Sequence, residues 1–166
     1  MIFTDITEFA AILPRHGALA GLDLGTVTIG VAISDTRRQV ASPFSVIKRV
    51  KFQADAAALL EMCQKREVVG LVLGLPLNMD GSRGPRVQST EAFARNLEKL
   101  TALPITYWDE RLSTVAAERV LLEADTSRKR RDQVIDQVAA GYILQGALDR
   151  METQTRLAAT RGPSDE

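Results

Sequence analysis

The sequence is poor in the residues that usually announce chemistry. It has a single cysteine, Cys63, and a single histidine, His16, among 166 residues. One cysteine excludes a disulfide framework and a thiolate zinc site. Cys63 is expected as a small buried hydrophobe in a helix, and His16 as a surface residue. Net charge is also missing, since 21 basic residues balance 21 acidic ones. That balance excludes a broadly basic surface, although local patches can still act through a neutral whole. No run approaches the ~18 apolar residues of a membrane span. The opening segment carries Asp5 and Glu8, unlike a signal peptide, so a cytoplasmic protein without a membrane partner is expected. What is present, 45% apolar and 25% charged residues, describes a soluble globular chain with one core.

Hydrophobic periodicity orders the elements. A short amphipathic helix over 5–13 opens the chain, and Pro14 and Gly17 separate it from the first core strand. Apolar runs over 18–24, 27–34 and 40–50, joined by short turns, form an antiparallel meander. Pro43 lies in the third run, which places that strand at an edge or off the ladder there. The grammar then changes to a helix over 53–66, a strand over 68–73, a helix over 87–100 and a strand over 104–108. Helices follow over 113–123 and 132–151. A helix between two strands dictates parallel pairing. The expected fold is therefore α/β, a mixed five-stranded sheet with flanking helices, three strands antiparallel and then two parallel. This order fits a ribonuclease H-like domain, and equally one half of an actin-like or sugar-kinase phosphotransferase. The expected organisation is a helical extension over 1–17, the domain over 18–151 and a flexible tail over 152–166.

Gly21-Leu22-Asp23-Leu24-Gly25-Thr26 is the most informative stretch. A carboxylate inside an apolar strand is costly to bury without a cation, metal ion or hydrogen-bond donors. Asp23, at a strand end beside glycine, therefore suggests a site handling metal and phosphate. The plainer alternative is an acid satisfied by turn amides. Glu110, in Trp108-Asp109-Glu110-Arg111-Leu112-Ser113, follows the last strand and can reach the same end of the sheet. Its alternative is a salt bridge with Arg111 or another nearby base, with Ser113 capping the next helix. Asp136 shares a helical stripe with Ala140, Ile143 and Ala147. Small residues on that stripe let the helix approach the sheet, and the carboxylate then points toward it. Asp132, one turn earlier, suits a capping role. Three carboxylates from separate elements would hold Mg²⁺ or Mn²⁺, hard ions that favour oxygen. Two such ions about 4 Å apart activate water and stabilise the leaving oxygen of a phosphodiester.

Basic and loop residues complete the pattern. The loop from Gly74 to Pro85 would sit at the carboxyl end of its strand, where open α/β sheets bind ligands. Asn78 offers donors there, and Arg83 and Arg86 add charge. Arg128-Lys129-Arg130-Arg131 is the densest basic run and directly precedes the Asp136 helix. It suits phosphates flanking a metal site, or else a solvated loop. Arg37, Arg38, Lys48, Arg49 and Lys51 form a second possible patch. Trp108 is expected in the core.

These segments together resemble the YqgF family of pre-16S ribosomal RNA nucleases and Holliday junction resolvase-like proteins. The matching stretches are 21–26, Ile29 to Asp35, Gly74 to Gly81, Asp109 to Thr114, and Ile135-Asp136 with Ala139-Ala140. The resemblance implies a ribonuclease H-like fold and a metal-dependent nuclease of small-subunit ribosomal RNA maturation. It places the acidic triad at Asp23, Glu110 and Asp136. Val27 stands where the family commonly has a basic residue. The expected substrate is structured RNA (pre-rRNA) or branched DNA, with ribosomal particles as further partners. Asn78, Arg83, Arg111, Arg128, Lys129, Arg130 and Arg131 are the expected substrate contacts. Two other functions compete. A nucleotide-dependent phosphotransferase would need a second such domain, and a non-catalytic nucleic-acid or ribosome-associated module would keep the fold without cleavage.

Overall fold

The computed structural model describes residues 1–112 and 128–161, with side chains at 1–112 and 137–160. The expected helix over 113–123 and the Ser113 cap lie outside the described residues. In chain order the elements are β1 (Ile2–Phe3), α1 (Ile6–Ile12), β2 (Ala18–Leu24), β3 (Thr28–Ser34) and β4 (Ala41–Lys48). Then follow α2 (Phe52–Lys65), β5 (Val68–Leu75), α3 (Pro85–Glu98), β6 (Ile105–Asp109), a short 3₁₀ turn (Glu110–Leu112) and α4 (Arg128–Arg161). The sheet order is β1-β6-β5-β2-β3-β4. The meander β2-β3-β4 is antiparallel, and β5 runs parallel to both β2 and β6.

Both faces of this sheet are covered. Leu22, Val31, Leu71 and Leu73 pack with Leu59 of α2 and Phe93 and Leu97 of α3. Leu19, Ala32, Val72 and Trp108 pack on the opposite side with Phe9 of α1 and Ala140, Ile143 and Leu144 of α4. Double coverage explains why all seven residues of β2 are buried and why its sequence reads as a continuous apolar run. β4 is one of the two edge strands, with Ser42, Pro43 and Phe44 exposed. Pro43 sits opposite Ala32 at a register shift, where a missing N–H breaks no regular ladder.

Three expectations change. The sheet has six strands rather than five. The additional one, β1, pairs parallel with β6 through Ile2 opposite Ile105 and Phe3 opposite Thr106. Two residues are too few to show a period. The N-terminal helix is likewise part of the core, since Phe9 is fully buried and meets Phe3 edge-on at 6.2 Å between ring centres. Finally, α4 begins at Arg128 and runs to Arg161, past the expected start of a flexible tail at 152. Glu152 and Arg156 pair at 2.7 Å across one turn there, and no Gly or Pro occurs between Glu152 and Gly162. The basic run 128–131 is thus the first turn of a helix rather than a loop before it. Bases at a helix start oppose the macrodipole, so the sequence argues against that start.

The direction of α4 positions the site. Gln145 accepts from the Ala41 amide through Oε1, while Gly141 lies beside Pro43. As β4 advances, α4 therefore runs backward. Gly21 of β2 allows the close crossing, because a Cβ there would stand 2.6 Å from Leu144 Cβ and 3.0 Å from the Ala140 carbonyl oxygen. The residues of α4 that precede Ala140 consequently lie toward the Asp23 end of β2.

Candidate active site

Asp23 is the penultimate residue of β2 and only 2% exposed. It faces the α4 side of the sheet, two residues beyond Gly21 on the alternating pleat. Its neighbour on β3 is Gly30. On the other flank, Leu22 of β2 aligns with Leu73 of β5, so the next step sets Asp23 beside Gly74. Adjacent strands are about 4.8 Å apart. Gly74 is where Glu110 arrives, since a Cβ on residue 74 would stand 2.9 Å from Glu110 Oε1. Glu110 opens the turn that follows β6, and Leu75 of β5 aligns with Asp109. Two carboxylates 87 positions apart in sequence, Asp23 and Glu110, are thus delivered to one end of the sheet from the two sides of β5.

The third candidate is placed by its backbone alone. Residue 136 belongs to α4, one turn before Ala140, on the stretch of helix directed toward the Asp23 end. The Asp136 side chain and those of Arg128, Lys129, Arg130 and Arg131 lie outside the described side chains. Among the described residues no group of three or more His, Cys, Asp or Glu gathers as a metal-ligand set.

The partner of Arg111 is Asp109. Its Nη2 donates to Asp109 Oδ2 at 2.8 Å, and its Nε lies 3.1 and 3.2 Å from the two carboxylate oxygens. This forked contact holds the Asp109 carboxyl below its ordinary range, the hydrogen bonds from Arg111 being the main cause. Arg111 Nη1 also reaches the Met79 carbonyl oxygen at 3.4 Å, tying the loop after β5 to the end of β6. Within that loop Asn78 Nδ2 donates to Ser82 Oγ at 2.9 Å, and Ser82 N donates to Asp80 Oδ1 at 2.8 Å. Hydrogen bonds from Ser82 lower the Asp80 carboxyl as well. Arg83 is paired with Glu91 at 2.7 Å. The loop is therefore held in shape by its own polar groups.

Sequence reasoning missed what Arg49 and Arg86 do. Arg49 Nη1 donates to the Gly25 carbonyl oxygen at 2.7 Å, and Arg86 Nη2 donates to the Leu24 carbonyl oxygen at 3.3 Å. Both guanidinium groups sit on the turn directly after Asp23. No sequence signal marks a side chain that bonds to backbone from a distant element. The second basic patch also divides. Arg38 is at the opposite end of the sheet, donating to the Gly17 and Pro14 carbonyl oxygens at 2.9 and 2.6 Å. Trp108 is buried, as expected, and lies close against Gly146.

A family model described as RuvX, Holliday junction resolvase, matches residues 17–150. The chain belongs to the RuvX family. A curated relative from Paracoccus denitrificans is 74% identical over 151 residues, covering 91% of this chain and 96% of the relative. One from Rhodobacter capsulatus is 68% identical, covering 91% and 95%. Both bear the name "Putative pre-16S rRNA nuclease". Among solved structures, Thermus thermophilus RuvC in complex with a Holliday junction substrate is similar at a TM-score of 0.50 and 12% identity. That match covers 83% of this chain and 97% of the other. The yeast mitochondrial Holliday junction resolvase Ydc2 is similar at 0.50 and 13%, covering 91% and 85%. At these identities the likeness is one of fold, and the fold is the ribonuclease H-like one expected from the element order. Among the described residues no helix is long and apolar enough to cross a membrane.

Proposed function

We propose that this RuvX-family chain is a divalent-metal-dependent endonuclease that hydrolyses RNA phosphodiester bonds in 5′-end maturation of pre-16S ribosomal RNA. The observation that carries this reading is that Asp23 and Glu110 both approach Gly74, from its two sides, at one end of the sheet. The names of the relatives support the choice of RNA.

The donor set fits Mg²⁺ or Mn²⁺. Asp23 and Glu110 offer hard oxygen ligands, and the missing Cβ at Gly74 leaves the space that a side chain would fill. Asp136 is the proposed third ligand, a reading that the course of α4 supports. A divalent ion held there would supply Lewis-acid stabilisation of phosphodiester hydrolysis. The protein supplies the rest. Asp23 is fixed by burial inside β2, so its carboxylate cannot follow the substrate away. Arg111 binds the loop carrying Asn78 to the end of β6 and so fixes one wall of the site. The run 128–131, at the start of α4, is proposed to hold substrate phosphates near that ion.

Cleavage of a pre-16S RNA fragment in Mg²⁺ or Mn²⁺ tests the reading. Wild-type protein should cut, and Asp23→Asn should be slower by more than about a hundredfold. Equal rates would remove the assignment. The description of the family model favours one second substrate, so a four-way DNA junction belongs in the same assay. Cutting of the junction alone would transfer the mechanism to branched DNA. Binding without cutting of either would favour the non-catalytic module.

A further inference from the structure

The rim of the candidate site contains two kinds of arginine. Arg83 and Arg111 are paired with carboxylates, Glu91 and Asp109. Arg49 and Arg86 bond instead to the Gly25 and Leu24 carbonyl oxygens, the two that follow Asp23. Among the described residues neither of these guanidinium groups has a carboxylate partner. A carbonyl oxygen orients a guanidinium without cancelling its charge. Each group has five N–H donors, so most of its donors remain available. Val27, at the tip of the same turn, is 64% exposed and uncharged. Positive charge is thus brought to the turn that follows Asp23 from the end of β4 and the start of α3.

We infer that Arg49 and Arg86 form a phosphate-binding pair that holds the nucleic-acid phosphate next to the one lying at Asp23 and Glu110. The choice of a nucleic-acid phosphate rests on the nuclease reading above. Guanidinium groups match the non-bridging oxygens of phosphate through two parallel N–H donors, and fixing them beforehand lowers the entropy lost on binding. Arg49 is fixed twice, by Gly25 and by the Phe93 ring 6.0 Å away. Arg86 is fixed by its place in the first turn of α3 and by Leu24. Their attachment points bracket the backbone of one turn, so a phosphate bound to both is registered against Asp23. Arg83 and Arg111 can give less, because a phosphate must compete with the carboxylates they already hold.

Anisotropy titrations of a labelled single-stranded RNA and a labelled four-way DNA junction, in Ca²⁺ over a range of salt, test the pair. Full-length wild type is compared with Arg49→Gln/Arg86→Gln and with Arg49→Lys/Arg86→Lys. Loss of the one phosphate contact that the pair makes should flatten the plot of log affinity against log salt by about 0.7 on RNA or about 0.9 on duplex arms. Affinity at moderate salt should fall about tenfold or more, and the lysine pair should recover the slope while losing part of the affinity. The arm whose slope falls by its full expected amount identifies the natural phosphate source. Should the double glutamine variant not melt cooperatively, Arg86→Gln alone should flatten the RNA slope in the same direction, by up to about 0.7. An unchanged slope in variants that fold would make the arginines mere turn anchors and overturn the pair. Wild-type cleavage in Mg²⁺, measured in parallel, would then still uphold the nuclease reading. Wild type that neither binds nor cuts would remove both.

Discussion

Glu110 and Gly74 are matched across the end of the sheet, the Glu110 Oε1 lying 2.9 Å from the point where a Cβ on residue 74 would stand. The glycine is what lets a carboxylate from the end of β6 reach over β5 toward Asp23. Ile143 of α4 fills the other side of the same space. Gly74→Ala should therefore strain both contacts, costing about 1–3 kcal/mol as overpacking does. Cleavage should fall further than stability alone explains, because Glu110 must withdraw. Thermal melts and initial rates on one preparation check this. Full activity in Gly74→Ala would separate Glu110 from the site.

Phe9→Ala tests whether the N-terminal segment belongs to the domain. Phe9 is fully buried against the α4 side of the sheet. Truncating a buried phenylalanine costs about 3–5 kcal/mol. Chemical denaturation should show a loss of that size in a single transition. A change under about 1 kcal/mol would return α1 to the status of an appendage.

The sequence carried most of this fold because most of its elements are long and periodic. The seven-residue strands β2 and β3 and the alternation of strand and helix after Lys51 leave few topologies open. It missed β1, since Ile2 and Phe3 gain meaning only from the edge of β6. It misplaced the ends of α4 because basic residues crowd its first turn and polar residues fill its last turns, whereas helix continuity is decided by backbone bonds. Asp23 and Glu110 were legible as acids at strand ends. The attachment of Arg49 and Arg86 to the turn was not, because side-chain bonds to distant carbonyl oxygens leave no period in the sequence.

The Asp109–Arg111 fork gives a pH signature. Because the Asp109 carboxyl is held below its ordinary value of 3.8, the folded protein keeps it ionised where the unfolded chain would protonate. Its contribution is therefore complete above the unfolded value and is lost as pH falls through the lower folded value. The melting temperature of Asp109→Asn should lie below wild type at neutral pH. The gap should close as the pH falls below about 4. A gap that stays constant down to pH ~2 would show that the charge is not what Arg111 uses.

Cys63 should be inert in the native state. It is buried on α2 within the core shared with β2 and β5, and burial raises its thiol to about 11. The thiolate is the reactive form, and both access and ionisation are withheld here. A chromogenic disulfide reagent at pH 8 should react at the rate of global unfolding and in full once denaturant is added. Rapid modification of the native protein would show that α2 opens locally.

Asp136→Asn addresses the residue whose place is carried by the helix backbone alone. α4 runs backward over the sheet, past Gly141 beside Pro43 and Ala140 beside Gly21, so residue 136 approaches the Asp23 end. A third carboxylate there would complete a ligand set for one or two hard cations. The substitution keeps size and removes charge. Cleavage should drop by more than about a hundredfold. The melting temperature without added cation should hold or rise slightly, because repulsion among acids is relieved. The added stability that Mn²⁺ gives wild type should shrink in the variant, since a ligand stabilises only in proportion to its affinity for the folded state. This last readout is independent of turnover. Wild-type cleavage together with an unchanged Mn²⁺ shift would exclude Asp136 and leave the metal to Asp23, Glu110 and the substrate phosphate.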